Sequence, residues 1–286
     1  MRLRLAAALL ALALSGTAGA KTILFVGNSF TYGAGTPVQN YRPDAVTDLN
    51  GEQIGGVPAL FRTFAEQLRL DWEVSLETSP GKDLAWHLAN HGELLTRKWD
   101  AVLLQGYSTL DAEHPGDPAR HIAAAKDLSA LAYKANSEVR IWLVSTWSRA
   151  DLTYPDAGHW HGQPIGAMAE QLQAANCGGL AQAPRIGGVI PVGAAWNLAI
   201  RSGLADPDPY DGIAPGKVDL WGKDHYHASV EGYYLEALVE FGAVTSADPR
   251  RLGRRERGAQ ELGIAPNRAV RLQQIAARQL RLRTCR

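Results

Sequence analysis

Cysteine is nearly missing from this chain: the 286 residues hold two, Cys177 and Cys285. Two cysteines make no disulfide framework and permit a single bridge at most. Neither has a sequence neighbourhood that suggests a catalytic thiol. An excess of charge of either sign is missing as well. Lys plus Arg and Asp plus Glu number 29 each, so no global field favours nucleic acid or an anionic surface. Positive charge gathers only late, at Arg250, Arg251, Arg254, Arg255 and Arg257 and again across 268–286, where it reads as the solvated faces of terminal helices. Beyond the first twenty residues there is no low-complexity segment, no internal repeat and no apolar run of the about 20 residues that a membrane-crossing helix needs.

The first twenty residues stand apart. Arg2 and Arg4 form a basic opening, 5–14 is a short run of only Leu and Ala, and Ala18-Gly19-Ala20 is a small-residue cleavage site. This pattern predicts a signal peptide removed after Ala20 and a product exported to the periplasm or secreted. The 266 residues that remain are ample for one large domain. We expect that domain at 21–249, followed by a basic helical extension, 250–286, that packs on it or trails from it.

Along 21–249, apolar runs alternate with helical periodicity. The runs 23–26, 72–76, 101–104, 139–144 and 188–192 have the length and composition of buried parallel strands. Between them, Val57, Leu60, Phe61, Phe64 and Leu68 recur at helical spacing, and further helical patterns begin near Asp83 and cover 120–135, 165–175, 194–204 and 230–241. One clear helix, 267–280, follows. The stretches 33–56 and 205–222, rich in Gly, Pro, Asn and Asp, read as loops. Five strands alternating with helices predict an α/β fold of three layers, a parallel five-stranded sheet between two layers of helices.

In such sheets, ligands bind outside the carboxyl ends of the strands. The first strand ends in Gly27-Asn28-Ser29, a small residue, a turn former and a hydroxyl. Ser29 is there either as a nucleophile or as the cap of an ordinary strand-to-helix turn. A serine hydroxyl needs a base to take its proton and donors to hold the oxyanion. The best base is His227, because Asp224 lies three residues before it. On a tight turn that spacing brings the carboxylate onto one ring nitrogen and leaves the other free. Two other readings stand beside this one: a surface turn capped by Ser229, and a metal cluster of His225 and His227 with His159 and His161, although neither pair has a recognised ligand spacing. Tyr107, Trp147, Tyr154 and Trp160 fall in strand-end loops, where they either stack on sugar rings or pack in the core.

These residues carry a resemblance. The block from Gly27 to Gly33 after a first strand resembles the nucleophile block of the SGNH (GDSL-type) hydrolases, and Asp224-x-x-His227 with Ser229, Gly232 and Tyr233 resembles their last block. Pro191-Val192-Gly193-Ala194-Ala195-Trp196 is similar to a segment of a subgroup that opens with Gly-Asn-Ser. The resemblance spans 21–249. It implies a flavodoxin-like fold, a Ser29–His227–Asp224 triad acting through an acyl-enzyme, and an oxyanion hole that uses the N–H groups of Ser29 and Gly81. It implies ester substrates (acetylated sugars, lipids or acylated glycans), no cofactor, no metal, no nucleic acid and no stable membrane insertion. Carbohydrate O-deacetylation is the first expectation for an exported enzyme, with Asn28, Tyr107, Trp147 and Trp160 at the substrate. In one place the pattern departs. The family usually has Gly-x-Asn-Asp after strand three, where this chain has Gln105-Gly106-Tyr107-Ser108. The Gln105 amide, favoured slightly, or the Ser108 hydroxyl would replace the missing donor, whose loss typically costs about 2.7–4 kcal/mol.

Overall fold

The computed structural model describes residues 19–285; the expected signal sequence, apart from Gly19 and Ala20, lies outside them. Strands β1 (Lys21–Gly27), β3 (Trp72–Thr78), β4 (Ala101–Leu104), β5 (Arg140–Ser145) and β6 (Gly188–Pro191) form a parallel sheet, joined by a two-residue strand β2 (Thr47–Asp48) on its edge. The order is β2-β3-β1-β4-β5-β6. Without β2 this is the flavodoxin-like doubly wound order. The sheet therefore has six strands and not five. The extra one sits in the stretch 33–56, where two residues give no periodicity to detect.

Helices α1 (Ser29–Tyr32), α2 (Gly56–Gln67), α3 (Leu84–His91), α4 (Ala119–Ala135), α5 (Ala167–Gly179), α6 (Val192–Arg201), α7 (Val230–Thr245), α8 (Arg257–Glu261) and α9 (Pro266–Gln279) complete the layers. Successive strand residues point to opposite faces, and β1 divides accordingly. Ile23 and Phe25 join the larger core with α2, α6, α7 and α9, while Leu24 and Val26 face α3 and α4. In α7 nearly every residue is buried, as expected for a helix that is apolar all round. It carries two buried carboxyl groups, those of Glu236 and Glu240.

The basic segment after 249 is built into the same body. Ala269, Leu272 and Ala276 of α9 are fully buried in the larger core, and Arg271 and Arg278 stay outside. Cys177 on α5 and Cys285 form a disulfide, which ties the end of the chain to the domain. Among the described residues no helix is long and apolar enough to cross a membrane.

Candidate active site at the carboxyl edge of the sheet

The carboxyl end of β1 is fastened before it can carry chemistry. Gly27 lies so close to Thr31 and Gln105 that a Cβ would collide with both side chains. Asn28 follows as the N-cap of α1, its Oδ1 accepting from Phe30 N at 3.2 Å. Its amide nitrogen donates to the carbonyls of Lys82 and Gly106, at 3.0 Å each. One buried side chain thus joins the ends of β1, β3 and β4. Asn28 was expected at the substrate; it is a strut instead, with every polar atom spent inside the fold. Ser29 opens the four-residue α1, 6% exposed. Its carbonyl accepts from Ala34 N and from the Tyr233 hydroxyl of α7.

The turn after β3 places Gly81 at φ +66°, exposed, with its N–H donated to nothing among the described residues. After β4, Gln105 is 1% exposed. Its Oε1 accepts from Asn28 N (2.9 Å) and Thr31 Oγ1 (3.0 Å), and its Nε2 donates to the Gly106 carbonyl. Gln105 was the favoured oxyanion donor; its Oε1 is taken up in holding the Asn28 turn and one of its two amide protons goes to Gly106 O, which leaves a single proton. Ser108 is the other candidate. It is buried, and its Oγ accepts from Arg149 Nη1 at 3.3 Å.

The imidazole arrives on a tight loop ahead of α7. Gly222 N donates to His227 O, His225 N to Gly222 O, and Ser229 N to Leu220 O. His225 takes the left-handed conformation at φ +57° that closes the turn. Three bonds fasten this loop to the segment after β5: Trp147 Nε1 to Tyr226 O, Trp221 Nε1 to Ser148 O, and Asp151 N to His225 O. Within the loop, His227 Nδ1 lies 2.6 Å from Asp224 Oδ2. The other carboxylate oxygen accepts from the backbone N–H groups of Tyr226 and His227. Partial burial would raise the Asp224 pKa, but the bond to His227 and these two N–H groups outweigh it and hold the carboxyl below the usual range. An ionised Asp224 accepts a hydrogen bond from Nδ1–H. Nε2 is thereby left as the basic nitrogen, and it is buried with no partner among the described residues.

Phe30 connects the two halves. It follows Ser29 directly, and its ring centroid is 5.4 Å from that of Tyr226 and 5.7 Å from that of His227. Behind it, Trp147 is sandwiched between Phe30 (4.0 Å, 7°) and Trp196 (4.7 Å, 5°) and has no exposed surface. Trp160 is equally buried, with its Nε1 on Gln171 and with Leu110, Met168 and Leu172 around it. Both tryptophans were expected at the substrate; both are core, because stacking and an indole hydrogen bond satisfy them inside. Tyr107 alone among those aromatics keeps a half-buried position in a strand-end loop clear of the core clusters. Tyr154 packs beside the larger core and donates to Pro207 O.

Among the described residues no three His, Cys, Asp or Glu side chains lie close enough to hold a metal ion. His159 packs on Trp160 and His225 on Tyr210. Sequence reasoning missed Arg149 and Tyr226. The one available signal was a charged residue, Arg149, four positions beyond the end of a buried strand.

No protein-family model and no curated protein matches the chain. Solved structures do. A DUF4886 family protein from Bacteroides uniformis aligns at a TM-score of 0.60 and 18% identity over 91% of this chain and 94% of that one. A protein described as a GDSL-like lipase from Parabacteroides merdae aligns at 0.55 and 16% over 80% of this chain and 96% of its own. At these identities the likeness is one of fold: the chain has the three-layer α/β/α fold of the SGNH hydrolases.

Proposed function

We propose that this chain is an exported serine esterase whose substrates are O-acetylated carbohydrates. Its fold is that of the SGNH hydrolases. In this reading Ser29 is the nucleophile, His227 the general base and Asp224 the carboxylate that orients it. The observation that carries the reading is the His227 ring, bonded through Nδ1 to Asp224 while Nε2 stays unpartnered beside the helix that begins with Ser29.

The chemistry follows from that ring. Nε2 takes the proton of the Ser29 hydroxyl as Oγ bonds to the ester carbonyl carbon, and the carbonyl π electrons move onto oxygen. Donors for that oxyanion are the backbone N–H groups of Ser29 and Gly81, with a side chain from the loop after β4. Collapse breaks the bond to the alkoxy oxygen, which leaves with the proton held on Nε2. Water repeats the sequence on the acyl-serine: His227 takes its proton, carboxylic acid is released, and Ser29 regains its hydrogen. Asp224 stays ionised throughout and steadies the imidazolium.

The choice of a sugar ester is supported by the surroundings. A cleft of about 760 Å³ beside the imidazole is lined by Thr36, Asp219, Lys223, His225 and Glu231 among others. These groups suit a polyhydroxylated alcohol, with small residues (Ala34, Gly35) on the α1 side. A purely glycan-binding role is disfavoured by the burial of Trp147 and Trp160, the two side chains best suited to sugar stacking.

The test is turnover of p-nitrophenyl esters of increasing chain length by the mature protein, with fluorophosphonate labelling mapped by mass spectrometry. Acetate should be the best acyl group and Ser29 the labelled residue. Equal rates for wild type and Ser29→Ala would refute the assignment.

A further inference from the structure

We infer that Arg149 is a positioning residue: it turns the Ser108 hydroxyl into the side-chain donor that holds the oxyanion. The inference rests on the esterase reading above. A guanidinium only donates, so in the 3.3 Å contact between Arg149 Nη1 and Ser108 Oγ the serine oxygen is the acceptor. The single hydroxyl proton of Ser108 must then point elsewhere. Among the described residues it meets no acceptor, although Ser108 is 2% exposed. A buried donor with no acceptor is costly in a resting protein and useful to a reaction that develops negative charge. Its neighbour strengthens it, because a cation donating to the hydroxyl oxygen polarises the O–H bond.

The geometry puts this hydroxyl at the correct edge. Ser108 lies on the loop after β4, and Asn28 holds that loop to the β1 turn through Gly106 O. The Arg149 guanidinium carbon stands 3.7 Å from the centre of the Tyr226 ring, and that ring is 4.1 Å from His227. Tyr226 also packs on Phe30, the residue after Ser29. The contacts therefore close a circuit from Ser29 through Phe30, Tyr226, Arg149, Ser108, Gly106 and Asn28 back to Ser29. Arg149 is itself fixed, since its Nε and Nη2 fork onto Asp151 at 3.1 and 2.6 Å and its side chain is 14% exposed. Two arms of the guanidinium are thus anchored, and the third is aimed at Ser108.

The experiment is a double-mutant cycle on ester hydrolysis, with kcat and KM measured separately and thermal unfolding run on every variant. Ser108→Ala should lower kcat by about 10²–10³ with KM little changed, the signature of a lost oxyanion donor. Ser108→Thr, which keeps the hydroxyl, should recover most of that loss. Arg149→Met, which keeps an unbranched side chain but no donor, should lower kcat about tenfold or more in the wild-type background. It should lower kcat no further once Ser108 is alanine. A Ser108→Ala rate within about threefold of wild type, or an Arg149→Met loss equally large in both backgrounds, would overturn the inference while leaving the triad standing. Absence of any Ser29-dependent turnover in the wild type would instead remove the esterase reading itself, and this inference with it.

Discussion

Asn28 separates two accounts of the Gly-Asn-Ser turn, because aspartate in its place keeps one of its roles and destroys the other. As a cap, Asn28 needs only an acceptor oxygen for Phe30 N. As a strut it needs the amide protons that go to the carbonyls of Lys82 and Gly106. Asn28→Ala removes both roles. Loss of the cap costs about 1 kcal/mol, and each of the two amide bonds contributes about another 1 kcal/mol, so the sum is near 3 kcal/mol. Asn28→Asp restores the cap but sets a carboxylate oxygen roughly 3 Å from two carbonyl oxygens with no proton to share, where an unpaired buried charge is penalised further. The structure therefore predicts that Asn28→Asp is no more stable than Asn28→Ala, a reversal of the usual N-cap order. Urea unfolding of the three proteins at neutral pH, followed by tryptophan fluorescence and far-ultraviolet circular dichroism, reads the difference directly. An Asn28→Asp protein within about 1 kcal/mol of wild type, and clearly above Asn28→Ala, would show that the cap is the whole contribution.

Two further outcomes follow from buried groups. Burial drives the carboxyl pKa of Glu236 well above its ordinary value of 4.5, with its neighbour Glu240 adding to the effect, and burial pushes Glu240 up to about 8. Each is protonated in the folded state where the unfolded chain is ionised, so stability falls as pH rises from near 4.5 towards 8, by about 1.4 kcal/mol per pH unit per group. Glu240→Gln should flatten this slope and raise the unfolding midpoint at pH 8; unchanged pH curves would contradict the assignment. Trp147→Ala empties the sandwich between Phe30 and Trp196 and should cost about 3–5 kcal/mol in chemical unfolding. It also removes the bond to Tyr226 O that holds the His227 loop. A cost under about 1 kcal/mol would show that the stack relaxes to fill the space.

What could be read from the sequence was whatever is decided locally. Buried parallel strands announce themselves as short apolar runs, so β4 falls at the expected 101–104 and the other central strands lie within two residues of their expected ends. The Asp224–His227 pair was legible because three residues on a tight turn suffice to bring carboxylate and imidazole together. The errors fall on side chains whose fate is settled by distant partners. Trp147 reads as a loop aromatic until Trp196, 49 positions on, stacks against it. Gln105 sits where a donor is wanted, but its amide is oriented by Asn28 N and Thr31 Oγ1, which come from more than 70 residues away and donate to its Oε1. The basic tail, read from its arginines, left packing on the domain and trailing from it both open. Its placement was decided by the apolar stripe of Ala269, Leu272 and Ala276.

The polar groups at the carboxyl edge of the sheet divide into those the fold uses and those it leaves free. Asn28 and Gln105, together with the indoles of Trp147 and Trp221, spend their donors in tying loops at one end of the sheet. Left unspent at that end, beside the Thr78 and Ser145 hydroxyls and His225 Nδ1, are His227 Nε2, the Ser108 hydroxyl proton and the Gly81 N–H. They belong to loops that follow β3 and β4 or are fastened to the segment after β5, and Ser29 begins the helix after β1. The last three, one acceptor and two donors, are what the proposed serine nucleophile would need: a base for its proton and donors for the charge that its attack creates. In the proposed reading the departure from the conventional asparagine would not weaken the site, because Ser108, which stands in that position, would supply the donor and Arg149, from the neighbouring strand end, would orient it.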